Sequence, residues 1–326
     1  MCGIAGLFRP SEPEQANRQF AEIAADSMVH RGPDGRGVFV EGPVALSMTR
    51  LAIIDVAGSD QPLFNETGDV VLVCNGEIYN YRELREELAS RDHRLRTNGD
   101  CETLIHLYED FGLDGFCRLR GMFAFALWDR RKETLVIGRD RLGIKPLYWV
   151  DKGSTQAFCS ELRGLVSSGL ATDRLAKEPT LGYLRYTYSV HPDRSMLQDV
   201  RRVPPGCLIE INRHGWRLVR FWEEPRPTES GSLESVLAAL EEASRQHQRA
   251  DVESAVLLSS GIDSSLVAAM AVNAGHRPLV FTAGYRRNVS QDESRLAEAF
   301  ATSLGLSSQR VPVDNDDLRR GFEEMS

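Results

Sequence analysis

The chain has 326 residues, which suggests two domains, and its 42% hydrophobic and 26% charged residues are ordinary for a globular enzyme. A formal net charge of −8 argues against non-specific binding to nucleic acid or to an anionic membrane surface. No apolar run reaches membrane-spanning length, and no charged-then-apolar leader precedes Cys2.

The six cysteines, Cys2, Cys74, Cys101, Cys117, Cys159 and Cys207, form no Cys-x-x-Cys pair, and no cysteine–histidine cluster has zinc spacing. That usage fits a reducing cytoplasm. The seven histidines are dispersed, and each reads as a surface or satisfied core residue.

The chain opens Met1-Cys2-Gly3-Ile4-Ala5-Gly6. If Met1 is trimmed, Cys2 carries a thiol and a free α-amine on one residue. Their reference pKa values of about 8.5 and about 8 let the amine take the thiol proton near neutrality. On these two residues alone a chance cysteine at a frayed end is an equal reading. Ile4, Ala5, Leu7 and Phe8 read as a buried strand that would hold the terminus still.

A helix is predicted over Glu14–Met28, with Phe20, Ile23, Ala24 and Met28 on one face, ending at the rigid turn His30-Arg31-Gly32-Pro33-Asp34-Gly35. Strands are predicted at Val38–Val40 and Val44–Met48, then Thr49-Arg50-Leu51-Ala52-Ile53-Ile54-Asp55 and a polar loop through Gln61-Pro62-Leu63. Val70–Cys74 is a strand apolar on both faces that runs into Asn75-Gly76-Glu77-Ile78-Tyr79-Asn80. Asn-Gly after a strand most often marks a hairpin turn. The alternative is chemical: the Asn75 amide and an unobstructed Gly76 N–H are the two donors an oxyanion hole needs.

A helix over Arg82–Ser90 and a short strand near Leu95 follow. Thr97–Thr103 then caps a helix with Leu104, Leu107, Tyr108 and Phe111 inward, where Asp100 and Glu102 also suit a helix start. Met122–Trp128 and Thr134–Ile137 pair around a turn at Asp129–Lys132. Gly138–Tyr148 leads into Phe158–Leu162, and short strands at Leu208–Ile211 and Leu218–Phe221 finish this half.

Pro225–Ser232 is the linker candidate. Beyond it helices (Ser232–Arg249, Ser264–Ala274, Glu293–Leu304) alternate with strands (Ala255–Leu258, Leu279–Thr282, Gln309–Val313), the signature of a doubly wound parallel sheet. The first strand-to-helix turn reads Ser259-Ser260-Gly261-Ile262-Asp263-Ser264-Ser265. Hydroxyls and helix-start N–H groups without a Gly-Lys-Ser/Thr lysine suit pyrophosphate rather than a γ-phosphate, with Asp263 placed for a magnesium ion. The alternative is an ordinary Ser/Gly-rich turn that caps a helix.

Taken together, Met1–Ile4, His30–Asp34, Arg50-Leu51, Asn75–Glu77 with Tyr79-Asn80, and Gly99-Asp100 resemble the class II glutamine amidotransferases. Those are N-terminal-nucleophile hydrolases built as a four-layer αββα sandwich. Gly138–Tyr148 and Ser259–Ser265 narrow the resemblance to the glutamine-hydrolysing asparagine synthetases, over essentially the whole chain.

The resemblance implies a glutaminase domain over 2–224, a linker over 225–232, and the N-terminal part of an α/β ATP-pyrophosphatase domain over 233–326. Cys2 would attack the glutamine amide with its own amine as base, and Asn75 and Gly76 would receive the oxyanion. Arg50 would hold the glutamine carboxylate. Glu77 and Asp100 would hold its ammonium, and Leu51, Ala52, Ile53 and Ile54 would line the pocket. Leu257, Ser259, Ser260, Gly261, Asp263, Ser264 and Ala283 would bind ATP, with Mg²⁺ on Asp263. ATP would activate aspartate as an acyl-adenylate, and ammonia carried through a dry passage would aminate it.

The family loop commonly reads Ser-Gly-Gly-x-Asp-Ser. Here Ser260 replaces the first glycine, which requires a backbone without positive φ at that position. Family members continue beyond Ser326, so the resemblance implies a complete glutaminase followed by a shortened synthetase. A different carboxylate acceptor, a split or glutamine-binding form without synthetase activity, a homodimer and a missing C-terminal chain stay open. A cysteine–histidine hydrolase would need His30 or His106, and His30 reads as structural.

Overall fold

The structure, a computed structural model, describes residues 1–225, 231–286 and 292–325. It divides into two compact units, Met1–Arg226 and Pro227–Ser326. Of the expected linker, residues 226–230 lie outside the described residues.

In the first unit the strands are β1 (Gly3–Phe8), β2 (Gly35–Glu41), β3 (Val44–Arg50), β4 (Leu63–Phe64), β5 (Val70–Ile78), β6 (Gly121–Asp129), β7 (Thr134–Arg139), β8 (Tyr148–Asp151), β9 (Gln156–Cys159), β10 (Arg201–Arg202), β11 (Cys207–Asn212) and β12 (Gly215–Arg220). The helices are α1 (Glu14–Asp26), α2 (Tyr81–Ser90), α3 (Thr103–Phe111), α4 (Leu162–Ser167) and α5 (Lys177–Tyr186). The strands form two six-stranded sheets, ordered β10-β8-β9-β1-β3-β2 and β12-β11-β7-β6-β5-β4, with antiparallel pairing such as β1–β3 and β5–β6.

The period of two along each strand builds the four layers. Ile4, Phe8, Leu46 and Met48 of the first sheet meet Val71, Val73, Ala126 and Ile137 of the second in the inter-sheet core. Ala5, Leu7 and Ala45 turn outward onto Phe20, Ala21 and Ala24 of α1. Leu72, Cys74, Phe125 and Leu127 turn outward onto Leu84 and Leu88 of α2 and Leu104 and Leu107 of α3. This is the expected αββα sandwich, and each fully buried Ile, Leu or Phe contributes about 1.5–3 kcal/mol to it.

Four local expectations are corrected. Asn75-Gly76 is not a turn. The β5 strand runs on to Ile78, with Asn75 opposite Ala124 and Gly76 opposite Phe123, because cross-strand pairing outweighs the local turn preference. Leu95 lies in no strand, and the first helix ends at Asp26, two residues short of the predicted Met28. Helix α5 was not predicted; Pro179 and Gly182 blur its pattern.

The second unit runs α6 (Leu233–His247), β13 (Ala255–Leu257), α7 (Ile262–Asn273), β14 (Leu279–Tyr285), α8 (Ser294–Ser303), β15 (Ser308–Val313) and α9 (Asn315–Met325). Its strands pair in parallel in the order β13-β14-β15, around a core of Leu258, Ala268, Val280, Ala297, Ala301 and Leu306. Among the described residues no helix is long and apolar enough to cross a membrane.

Candidate active site

Strand β1 aims the terminus. Ile4 and Phe8 face the inter-sheet core, so Cys2, on the same alternation, packs against that core too. Ser160 pins the strand, donating its N–H to the Ile4 carbonyl (2.8 Å) and accepting from the Ile4 N–H at its hydroxyl (3.0 Å). A Cβ on Gly3 would lie 2.9 Å from both Met28 Sδ and Thr49 Oγ1, so only glycine lets the chain lie this close. Cys2 Sγ sits between the Leu51 N–H (3.3 Å) and the Leu51 carbonyl (3.5 Å). Burial raises the Cys2 thiol above its ordinary pKa, so the resting sulfur keeps its proton. The Met1 α-amine, one residue ahead, moves the other way: burial lowers it, the Cys2 thiolate opposes that shift, and the Arg31 and Lys145 cations add to it.

The His30–Asp34 turn is a bracket for this terminus. Arg31 donates through Nε to the Cys2 carbonyl (2.9 Å) and through Nη1 to Glu161 (2.8 Å). His30 Nε2 lies 3.0 Å from the same Glu161 oxygen. A Cβ on Gly32 would lie 2.3 Å from the Thr49 carbonyl carbon. The Asp34 N–H donates to the Arg50 carbonyl (2.9 Å), and Asp34 Oδ2 accepts from the Ala52 N–H (2.9 Å). His30 is thus structural, and Arg31 is a positioning residue to which the sequence reading gave no role.

On β5 the odd residues Val71 and Val73 face the inter-sheet core, and the same alternation gives that side to Asn75 and Glu77. Asn75 is 1% exposed, and neither its Nδ2 nor its Oδ1 has a hydrogen-bond partner. A buried orphan amide costs about 1–3 kcal/mol and calls for a ligand. The Cys74 N–H donates to Gln61 Oε1 (2.6 Å) and the Ile78 N–H to Asp100 Oδ2 (2.7 Å). The Gly76 N–H lies between them on the same strand edge. A Cβ on Gly76 would fall 2.4 Å from the Met122 carbonyl.

Two carboxyls stand beside these donors. Burial, with Asp100 next to it, raises Glu77 to about 8 while Lys145 opposes the shift. Asp100 is raised by its own burial. Lys145 is 5% exposed and delivered by the Gly138–Tyr148 stretch. That loop is wound around buried Asp140, which accepts from the N–H groups of Leu142 (3.1 Å), Ile144 (2.9 Å) and Lys145 (2.9 Å). The sequence singled out the stretch but not its lysine.

Arg50 is buried at the end of β3 and already engaged. Its guanidinium donates to the carbonyls of Ile54 (3.3 Å), Asp55 (2.8 Å) and Val56 (2.8 Å) and to Asp60 Oδ1 (2.9 Å). These bonds curl residues 51–56 around it. Of the four acceptors only Asp60 is a side chain, and it is 83% exposed. Asp55 Oδ2 ties this loop to the next by accepting from the Ser59 hydroxyl (2.7 Å) and the Asn98 N–H (2.8 Å).

In the second unit the Ser259–Ser264 turn closes on itself. Ser264 Oγ lies 2.9 Å from Ser259 Oγ and accepts from the Ser259 N–H (3.2 Å), and the Gly261 N–H donates to Ser259 Oγ (3.1 Å). Among the described residues the non-glycine positions with positive φ are Asp55, Asp92, Glu133 and Thr187; Ser260 is not one of them, so the serine replaces glycine without strain. Leu257, Ser259 and Ala283 line one cleft of about 570 Å³, together with Thr282, Asp292 and Glu293. Ser260 reaches that edge by donating to Glu293 Oε2 (2.5 Å). Asp263 sits exposed in the first turn of α7 and Gly261 at its N-cap. Glu293 was not anticipated; nothing in the sequence sets it apart from the many surface carboxylates.

The comparisons agree with these two halves. The glutamine amidotransferase domain family matches residues 1–222, and the asparagine synthase family matches residues 235–326. Glutamine-hydrolysing asparagine synthetase 3 of Bacillus subtilis (strain 168) is 30% identical over 344 residues, covering 99% of this chain and 56% of that protein. The corresponding enzyme of Asparagus officinalis is 37% identical over 276 residues, covering 83% of this chain and 41% of its own length. The chain thus spans about half the length of the curated relatives it matches. Glutamine phosphoribosylpyrophosphate amidotransferase from B. subtilis, solved with ADP and GMP, superposes with a TM-score of 0.52 at 18% identity over 98% of this chain and 70% of that one. At that identity the likeness speaks for the fold alone.

Proposed function

We propose, from the premise that this chain belongs to the glutamine amidotransferase family, that it releases ammonia from glutamine at Cys2. The observation that carries the reading is the buried Asn75 amide without a partner, on the strand face turned toward the nucleophile. With Met1 removed, the α-amine of Cys2 accepts the thiol proton as Sγ bonds to the amide carbon. The carbonyl oxygen becomes an oxyanion and takes hydrogen bonds from Asn75 Nδ2 and the Gly76 N–H. Collapse expels the nitrogen as ammonia with the proton returned by the amine, and water hydrolyses the thioester to glutamate. Asp60 yields its place on Arg50 to the substrate carboxylate, and Leu51, Ala52, Ile53 and Ile54 form the wall.

A reactive glutamine analogue, a diazo ketone at the amide position, tests this. Mass spectrometry is expected to find one adduct on a peptide that begins at Cys2. An adduct on another cysteine, or on a peptide that still carries Met1, overturns the assignment.

Glu77 and Asp100 hold the substrate ammonium, which requires them ionised. Because Glu77 is raised to about 8, it is largely protonated at pH 7 and ionises as pH rises. KM for glutamine is therefore expected to fall about fivefold between pH 7, where about a tenth of Glu77 is ionised, and pH 8, where about half is. Glu77→Gln should flatten that profile. A KM in the wild type that ignores pH over this range refutes the role.

The second unit we assign to ATP. Leu257 and Ala283 would contact adenine and ribose through main chain, and Ser259, Ser260, Gly261 and Ser264 would grip the pyrophosphate. Asp263 would hold Mg²⁺, its hard carboxylate oxygens suiting that ion and the ion neutralising phosphate charge. In the whole enzyme ATP converts the side-chain carboxylate of aspartate to an acyl-adenylate with loss of pyrophosphate. Ammonia then displaces AMP to give asparagine. The free state of all six cysteines supports a cytoplasmic setting.

A further inference from the structure

Around α3, four side chains from three segments of the chain converge on one point. His106 and Glu109 stand one turn apart on α3, His93 follows α2, and Glu66 belongs to the β4–β5 connection. Their ligand atoms all lie within 4.8 Å of one another. His106 Nδ1 is 2.8 Å from Glu109 Oε2 and 3.7 Å from Glu66 Oε2, and His93 Nδ1 is 3.5 Å from Glu66 Oε1 and 3.8 Å from Glu109 Oε2. Bonds of 2.0–2.1 Å at tetrahedral angles place ligand atoms about 3.3 Å apart. The four measured edges straddle that spacing.

The surroundings are those of a ligand set. A metal-bound imidazole hands its other N–H to a carboxylate or carbonyl. His93 Nε2 lies 3.1 Å from Asp110 Oδ1. His106 Nε2 is aimed at Glu102 Oε1, 3.8 Å away; it is fully buried and lacks a hydrogen bond. The carboxylates are oriented as well: Asn65 Nδ2 donates to Glu109 Oε1 (2.6 Å) and the Arg94 N–H to Glu66 Oε1 (2.8 Å). Among the described residues neither Glu66 nor Glu109 pairs with a lysine or arginine side chain. Arg96 reaches only the Glu66 main-chain carbonyl (2.8 Å), so the two carboxylates face the two imidazoles across the centre of the cluster.

The geometry points to a structural divalent-metal site of the zinc class, formed by Glu66, His93, His106 and Glu109 in the glutaminase unit. All four positions are filled by protein, so the site is closed and performs no chemistry. It clasps the β4–β5 connection and the end of α2 to α3. Glu102, behind His106, accepts from the Arg96 N–H (2.6 Å) and the Thr97 N–H (2.8 Å). The clasp therefore borders the turn that presents Asp100. The two imidazoles and two carboxylates favour Zn²⁺ or Co²⁺ over Mg²⁺ or Ca²⁺. This inference does not depend on what the Cys2 site hydrolyses.

The test uses the whole chain, stripped by chelation and dialysed against Zn²⁺ alone or Co²⁺ alone. One Zn²⁺ per chain and the visible absorption of tetrahedral Co²⁺ are expected. So is a rise in melting temperature on adding Zn²⁺. His93→Ala and Glu109→Gln, both partly exposed positions that should fold, are expected to weaken binding at least tenfold and to abolish the Co²⁺ spectrum. Absence of stoichiometric Zn²⁺ from the folded wild type overturns the site. So does binding that survives both substitutions, which would move the ion to a thiol such as exposed Cys117.

Discussion

Replacing Cys2 by alanine is expected to lower glutamate release from glutamine by about 10⁴–10⁶-fold, the scale on which loss of a covalent nucleophile is felt. The fold should be untouched. The side chain is only half-buried, and strand β1 is held by Ser160 and by its pairing with β3 and β9. Loss of activity alone names a nucleophile but not its base. The distinguishing variant carries one extra residue ahead of Cys2, so that trimming leaves the thiol in place and moves the amine one residue away. Burial holds the Cys2 thiol above its ordinary pKa, and His30, the histidine of the neighbouring turn, is bonded to Glu161. With its base displaced, the extended chain should fall nearly as far as Cys2→Ala. Full activity in that chain would falsify the amine's role while leaving the nucleophile standing.

Why some of this was legible in the sequence and some was not follows from the range of the forces involved. Ile4 and Phe8 alternate with Ala5 and Leu7, and that local period already states which way Cys2 faces. The parallel half was equally open, because each strand-to-helix step carries its own signal. Asn75-Gly76 misleads at short range. The dipeptide favours a turn, and only its partners on β6, about fifty residues on, hold it extended. The roles of Arg31 and Lys145 also come from distant groups: the Cys2 carbonyl for one and the Glu77 carboxyl for the other. The dispersed histidines read as unrelated. Yet folding of α2 against α3 brings the His93 and His106 rings to a centroid distance of 4.6 Å, a convergence no periodicity encodes.

Asn75→Ala should separate catalysis from folding in a single protein. If Asn75 Nδ2 stabilises only the oxyanion, kcat falls by about 10²–10³-fold, equivalent to about 2.7–4 kcal/mol, with little change in KM. A structural asparagine would behave oppositely, since removing a buried amide that bonds its surroundings costs stability and leaves partners unsatisfied. Here the amide has no partner to abandon. Alanine deletes two unpaired polar atoms from a position 1% exposed, at the cost of a small cavity. The melting temperature is therefore expected to hold or rise while turnover collapses. A cooperative melt shifted downward by several degrees, with kcat retained, would assign Asn75 to the framework and leave Gly76 as the only donor at this strand. Gly76 cannot be probed the same way. Its Cβ would meet the Met122 carbonyl at 2.4 Å, so substitution there disturbs the sheet before it reports on chemistry. The side-chain donor is the half of the pair that mutation can remove cleanly, and the unspent hydrogen-bonding capacity of its amide is what makes the two outcomes opposite in sign.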